Sequence, residues 1–138
     1  MKVLGLMSGT SMDGLDCCYA DIYINQDNNI KFKIIKHQTI PFDINTRDHI
    51  ANVIGSNDNE LISICDRKLG IIFLEIVKKF IGKNVIELIA MHGQTISHIN
   101  KVKTFQIGNP KYLFKHYKVP VIYDFRSQDI MLGGNGAP

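Results

Sequence analysis

Tryptophan is absent, cysteine is scarce, and charge of one sign is nowhere massed along the 138 residues. The 16 Lys and Arg exceed the 13 Asp and Glu by only three, and the lysines stand singly among apolar positions. Recognition of a nucleic-acid backbone calls for a basic stripe, so nucleic acid is not an expected partner. No apolar run approaches the length of a membrane span, which leaves no membrane partner either. The apolar start Met1–Met7 is too short for a secretory core, and Asp13 and Asp16 follow at once. The cysteines are Cys17, Cys18 and Cys65, without metal-type spacing. Adjacent residues on a strand point to opposite faces, so Cys17 and Cys18 do not bridge readily. All three read as small reduced residues, which fits a cytoplasmic location.

What is present is an apolar content of 45% with 21% charged residues, the balance of a soluble globular chain. One domain of this size buries a core without staples. Val3–Met7 reads as a buried strand ending in a Gly/Ser/Thr cluster. In 17–24, Tyr19, Asp21 and Tyr23 alternate with Cys18, Ala20, Ile22 and Ile24, a second strand. The polar stretch 25–29 is a turn, and Ile30–Phe42 has strand character again. Residues 44–54 form a short helix candidate ended by Gly55. A longer helix starts near the possible caps Ser56–Asn59. Leu61, Ile64, Cys65, Leu69, Ile72, Phe73, Ile76, Val77 and Phe80 then keep a three-and-four spacing over about five turns. Gly82 supplies the stop. Strands follow at 85–91 and 104–107, a helix from Pro110 to Lys118, and a last strand at 120–123. The tail from Leu132 to Pro138 reads as loop. Strands first, then strands alternating with helices, give an α/β fold with a mixed sheet and flanking helices.

Three clusters carry candidate chemistry. The first, Gly9-Thr10-Ser11-Met12-Asp13-Gly14-Leu15-Asp16, opens from the first strand. Small residues let backbone N–H groups and hydroxyls surround a phosphate. Asp13 and Asp16 cannot bind phosphate directly but suit a hydrated Mg²⁺. No Gly-Lys-Ser/Thr follows, so this is not a Walker loop, and an ordinary hairpin turn is the structural alternative. The second cluster, His92-Gly93-Gln94-Thr95, lies at a strand end, where α/β sheets place ligand crevices. Its side chains offer the donors and acceptors that a sugar needs. His37, His49, His98 and His116 read as structural. The third runs from Asp124 through Arg126. Asp124 at the end of a buried strand is expected to face a crevice, partly desolvated, as a general base. Arg126 would steady that carboxylate or bind an anionic substrate group, and a structural Asp–Arg pair is the alternative.

Four blocks, Gly5–Asp16, His92–Thr95, Gln106-Ile107-Gly108-Asn109-Pro110 and Asp124-Phe125-Arg126 through the tail Gly133–Pro138, resemble the anhydro-N-acetylmuramic acid kinase family in order and spacing, across essentially the whole chain. The resemblance implies an actin-like, hexokinase-like ATPase lobe. It implies conversion of 1,6-anhydro-N-acetylmuramic acid, ATP and water to N-acetylmuramic acid 6-phosphate and ADP. Carried over, Gly9–Asp16 is the first phosphate loop, Asp124 is the catalytic base facing it across one shared cleft, and His92, Gly93, Gln94 and Thr95 lie beside the sugar. ATP and Mg²⁺ are the implied cofactors. Family members are longer, and their second lobe supplies another phosphate loop and the adenosine pocket. Residues 1–138 are therefore expected to be the N-terminal lobe, with the C-terminal lobe absent or on a separate polypeptide. A non-catalytic lobe that retains sugar or phosphate binding, or self-associates through open apolar surface, is the alternative expectation.

Overall fold

The computed structural model describes residues 1–137; Pro138, the last residue of the tail motif, lies outside the described residues. The strands are β1 (Lys2–Met7), β2 (Gly14–Ile24), β3 (Ile30–Pro41), β4 (Leu88–His92), β5 (Gln94–Ile99), β6 (Lys103–Ile107) and β7 (Val121–Tyr123). The helices are α1 (Ile44–Ala51), α2 (Asn59–Ile81), α3 (Lys111–Tyr117) and α4 (Phe125–Met131). Five strands form one mixed sheet in the order β3-β2-β1-β4-β7, while β5 and β6 pair as a separate two-stranded ribbon. The expected mixed sheet with flanking helices is what the chain adopts.

Two elements differ from the sequence reading. Residues 94–99, where the sequence predicts no element, form β5, which pairs antiparallel with β6. Residues 125–131, left without an element, form α4, which begins without a side-chain cap. In β5 the apolar content is confined to Ile96 and Ile99, too little alternation to signal a strand. α4 has Asp124 at its cap position, but the residue adopts a left-handed conformation, φ 59°, instead of the extended backbone of a capping residue, and makes no cap hydrogen bond.

α2 is fixed at both ends as its sequence implies. Asp58, out of the four candidate caps, accepts hydrogen bonds from the Glu60 and Leu61 backbone N–H groups at 3.0 Å each. Gly82 ends the helix at φ 59°, a conformation that glycine adopts without a Cβ clash. Between the caps, Cys65, Leu69, Phe73, Val77 and Phe80 are buried in a single stripe. They pack with Leu4, Leu6, Leu15, Cys17, Tyr19, Ile89 and Met91 of β1, β2 and β4. Phe73, fully buried, stacks on Phe42 with ring centroids 6.2 Å apart. Cys17 lies in this core, and burial pushes its thiol up to about 12, so it stays protonated and inert.

The opposite side of the sheet is bare. Register places Ile24 against Ile30, Ile22 against Phe32 and Ala20 against Ile34. Ile30 is 73% and Phe32 67% exposed, and Met7 and Ile122 on the same side are about half exposed. β2 and β3 pair antiparallel, an arrangement that can leave one face in water but ordinarily lines it with polar residues, so this apolar surface departs from the norm.

α2 also carries a glycine whose reason is spatial. A Cβ on Gly70 would stand 2.6 Å from the Asn109 carbonyl oxygen and 2.9 Å from both the Asn109 nitrogen and the Tyr112 ring. Gly to Ala inside a helix is ordinarily favourable by about 1 kcal/mol. Here overpacking, worth about 1–3 kcal/mol, opposes it. Gly70→Ala is therefore expected to lower the urea midpoint, with the denaturant slope unchanged. A midpoint that rises would show that the 108–110 turn is free to move.

Candidate functional site

The site follows from strand direction. β1 pairs parallel with β4, and β4 with β7, with Met7 opposite His92 and Met91 opposite Tyr123. The three carboxyl ends thus emerge along one edge. They deliver the turn after β1, the His92–Gly93 junction and Asp124 side by side, which is where open α/β sheets hold ligands.

The first turn is anchored from below and open above. The Ser8 backbone N–H donates to the His92 carbonyl at 3.2 Å. The buried Ser8 hydroxyl donates to Gln94 Oε1 at 2.6 Å. Met12 takes φ 55° while its N–H closes the turn on the Gly9 carbonyl at 3.1 Å. Ser11 Oγ donates to Asp13 at 2.7 Å, and the Thr39 hydroxyl donates to Asp16. Of the eight residues in the candidate phosphate loop, Thr10, Ser11 and Asp13 are exposed, with Gly9 and Met12 partly so. Gly14 and Leu15 are buried at the start of β2, and the fully buried Leu15 side chain belongs to the core. A Cβ on Gly14 would stand 2.5 Å from the Ile40 carbonyl oxygen. Gly9 is different: its φ is not positive, and the nearest atom to an added Cβ is Ser11 Oγ at 3.6 Å.

The second cluster joins β4 to β5. Gly93 backs onto Ile107 so closely that a Cβ would fall on its carbonyl oxygen. Gln94 is fully buried and committed to Ser8, with Nε2 donating to the Thr95 carbonyl at 3.3 Å. It ties the first turn to β5 and presents no donor to solvent. The Thr95 hydroxyl accepts from Gln106 Nε2 at 3.3 Å. His92 is half-buried, and its Nε2 accepts from Arg126 Nε at 2.7 Å. Burial, then the Arg126 charge, holds the imidazole below its ordinary pKa. The expected Asp124–Arg126 pair is absent, because Arg126 turns to His92.

Asp124 is exposed, where the sequence reading expected partial desolvation. It caps the end of β7 in the left-handed region, φ 59° and ψ 43°, and its carboxylate makes no hydrogen bond to the helix that follows. It lines a cleft of about 700 Å³ whose walls are largely apolar, among them Phe105, Phe114 and Val121, with polar groups from Asp66, Gln106 and Lys111. Two carboxylates reach this cleft. Asp66 is engaged, accepting from the Gly108 N–H at 2.9 Å and from Asn109 Nδ2 at 2.8 Å. Asp124 is free. The turn at 9–16 does not line this cleft, contrary to the expected single crevice shared with Asp124. The two are coupled through the 92–94 segment, where Gly93 lines the cleft while Gln94 holds Ser8. Asp66 and Lys111 escaped the sequence reading: one sits inside an apolar helical stripe, the other among ordinary surface lysines.

Among the described residues no group of three or more His, Cys, Asp or Glu is placed to hold a metal ion, and no helix is long and apolar enough to cross a membrane. Asp13 and Asp16 each have one oxygen engaged by a hydroxyl and one without such a partner. That donor set fits a Mg²⁺ held mainly by water and phosphate, which needs only one or two carboxylates, and not an all-protein cage.

A mixed five-stranded sheet with flanking helices, bearing a hydroxyl-lined turn and a largely apolar cleft with a few polar groups along one edge of its parallel strands, has the α/β architecture of a sugar-kinase type of ATPase lobe. The chain belongs to the anhydro-N-acetylmuramic acid kinase family, whose model matches residues 1–138. An anhydro-N-acetylmuramic acid kinase of Clostridioides difficile is 36% identical over 151 residues, covering 100% of this chain and 39% of its own length. The enzyme of that name in Sulfurimonas denitrificans is 34% identical over 144 residues, covering 98% of this chain and 38% of its own. A Bacillus cereus relative of the same name is 34% identical over 151 residues, at 100% and 39% coverage. The chain therefore spans less than two fifths of the length of the curated relatives that it matches.

The Ser8–Gln94 bond has a measurable weight. Ser8→Ala strands the buried Gln94 carbonyl oxygen, a loss of about 1–3 kcal/mol of stability. Adding Gln94→Met removes the stranded group, so the double variant is expected to be more stable than the two single losses sum to. Urea unfolding of the four proteins checks this, and strict additivity would mean that the pair does not interact.

Proposed function

We propose that this chain is the N-terminal lobe of an enzyme that converts 1,6-anhydro-N-acetylmuramic acid, ATP and water to N-acetylmuramic acid 6-phosphate and ADP in the cytoplasm. The carrying observation is the family match over the whole chain, joined to a carboxylate without a hydrogen-bond partner among the described residues, in a largely apolar cleft beside a glycine- and hydroxyl-lined turn. In this reading Gly9–Asp16 receives the terminal phosphates of ATP. Gly9 supports it: no positive φ and no crowding neighbour accounts for glycine there, whereas close approach of a ligand would. Asp13 and Asp16 would help hold Mg²⁺, which when bound offsets phosphate charge.

Asp124 is the proposed base. It takes a proton from water as the water oxygen bonds to the anomeric carbon, the bond from that carbon to O6 breaks, and O6 accepts the γ-phosphoryl group. Asp124 is the choice because Asp66 is already spent on Gly108 and Asn109. Arg126, without a carboxylate partner among the described residues, is proposed to face an anionic group of the sugar. Gly93 and Thr95 would border the sugar, His92 would stand beside it, and Gln94 would act from below.

A second reading rests on the coverage of the relatives and on the bare sheet face: a lobe that binds sugar or phosphate without turning them over. The exposed apolar side of β2 and β3 is the proposed contact for a complementary C-terminal polypeptide, or for a second copy of this chain.

ATP-dependent phosphate transfer to the anhydro sugar, by the chain combined with a polypeptide matching the remaining length of its relatives, tests the enzyme reading. Asp124→Asn is expected to lower kcat about 100- to 10,000-fold at similar KM. A rise in KM alone would make Asp124 a sugar contact and put the base elsewhere. No transfer, with calorimetric binding of sugar or ATP to the chain retained, would favour the second reading.

A further inference from the structure

We infer that His92 is a positioning residue for Arg126: its neutral imidazole holds the guanidinium through Nε and leaves the two terminal nitrogens for an anionic group on the substrate. This deepens the functional reading above and rests on it for the nature of the ligand. A guanidinium offers only donors, so a 2.7 Å contact from Arg126 Nε to His92 Nε2 requires a lone pair on Nε2. The ring proton must then sit on Nδ1, which is buried without a hydrogen-bond partner among the described residues. The contact thus fixes the tautomer, and leaves a buried donor unsatisfied to do so.

The surroundings enforce the neutral state. Arg126 reaches the ring from α4, and it is the one charged group that bears on it. From β1 the neighbour is Met7, from the turn after it Ser8, and from β5 Gln94, all uncharged, while β7 brings Tyr123 opposite the adjacent Met91. Burial first, then the Arg126 charge, pushes the imidazole pKa down, outweighing the backbone at Gly93 and His92, which acts the other way. A proton on Nε2 would set two donors and two cations face to face, so protonation must break the contact. It follows that Nε2 is not offered to the sugar. The contribution of His92 passes through Arg126, 34 positions away in sequence.

Long-range ¹H–¹⁵N spectra of the imidazoles in the whole chain, recorded from pH 5 to 8, report tautomer and titration directly and need no activity. The expected ring carries its proton on Nδ1 at neutral pH and titrates below about pH 6.5, with Arg126→Ala raising the midpoint and releasing the tautomer. A neutral ring protonated on Nε2, or a midpoint unmoved by Arg126→Ala, overturns the inference. Calorimetry with 1,6-anhydro-N-acetylmuramic acid supplies the second arm. His92→Leu and Arg126→Ala are each expected to weaken binding about tenfold or more, and the double variant no further. His92→Gln, whose amide oxygen can accept from Arg126, should recover most of the loss. Additive losses, or binding that tightens as the ring protonates, would make His92 a direct ligand and overturn the inference. If the wild-type chain binds no sugar, either alone or combined with a polypeptide matching the remaining length of its relatives, the proposed substrate is wrong, while the spectra still decide whether His92 holds Arg126.

Discussion

Parallel pairing of β1 with β4, and of β4 with β7, is the constraint from which the rest follows. Parallel strands cannot be joined by a hairpin, so long connections must leave one end of the sheet and return to the other. α2 supplies one such connection, and its length lets it bury Leu69, Phe73 and Val77 across β1, β2 and β4 on the way back. The carboxyl ends are then forced onto a common edge. Residues distant in sequence become neighbours there, as with Ser8 and Gln94 or His92 and Arg126.

Close joins around that edge depend on glycine, for spatial reasons more than conformational ones. Gly14 packs on the end of β3, Gly70 on the turn before α3, and Gly93 on the end of β6. Each lets two backbones approach where a Cβ would intrude. Together they press the β1 turn, the β5–β6 ribbon and the Asn109 turn against the sheet and α2. Asp66 adds a polar tie by holding Gly108 and Asn109 from within α2. The walls of the cleft are thereby set by packing before any ligand arrives.

Much of this was legible along the chain. The first three strands, the stripe of α2 and its Gly82 stop follow from period and punctuation, because those segments bury a regular face. What escaped depended on partners remote in sequence. β5 lacks an apolar rhythm, since Gln94 is buried by its bond to Ser8 and not by hydrophobicity. Read as a sugar ligand from its polarity, Gln94 proves to be an internal strut. The strand after Pro120 was visible, but not the left-handed turn at Asp124 that opens α4 and keeps the carboxylate in solvent. Adjacency suggested that Arg126 would pair with Asp124; the fold instead carries it to His92, leaving Asp124 unencumbered.

The distribution of satisfied and unsatisfied groups carries the functional reading further than any single residue does. Ser8, Gln94 and Asp66 lie in or against the interior, and each has its hydrogen bonds met within the chain. At the strand edge the pattern reverses. Asp124 holds an unfavourable backbone conformation without gaining a cap, His92 keeps a buried nitrogen unpaired, and Arg126 spends one donor of five on a neutral ring. A fold selected for stability alone would close such groups on one another, since an Asp124–Arg126 pair is only two residues long. Holding them apart has a use if charge from outside completes them. Under the proposed function, phosphate and a sugar acid would bring that charge in complementary form: negative groups for Arg126 and the Gly9 turn, and for Asp124 a water molecule with a proton to give up.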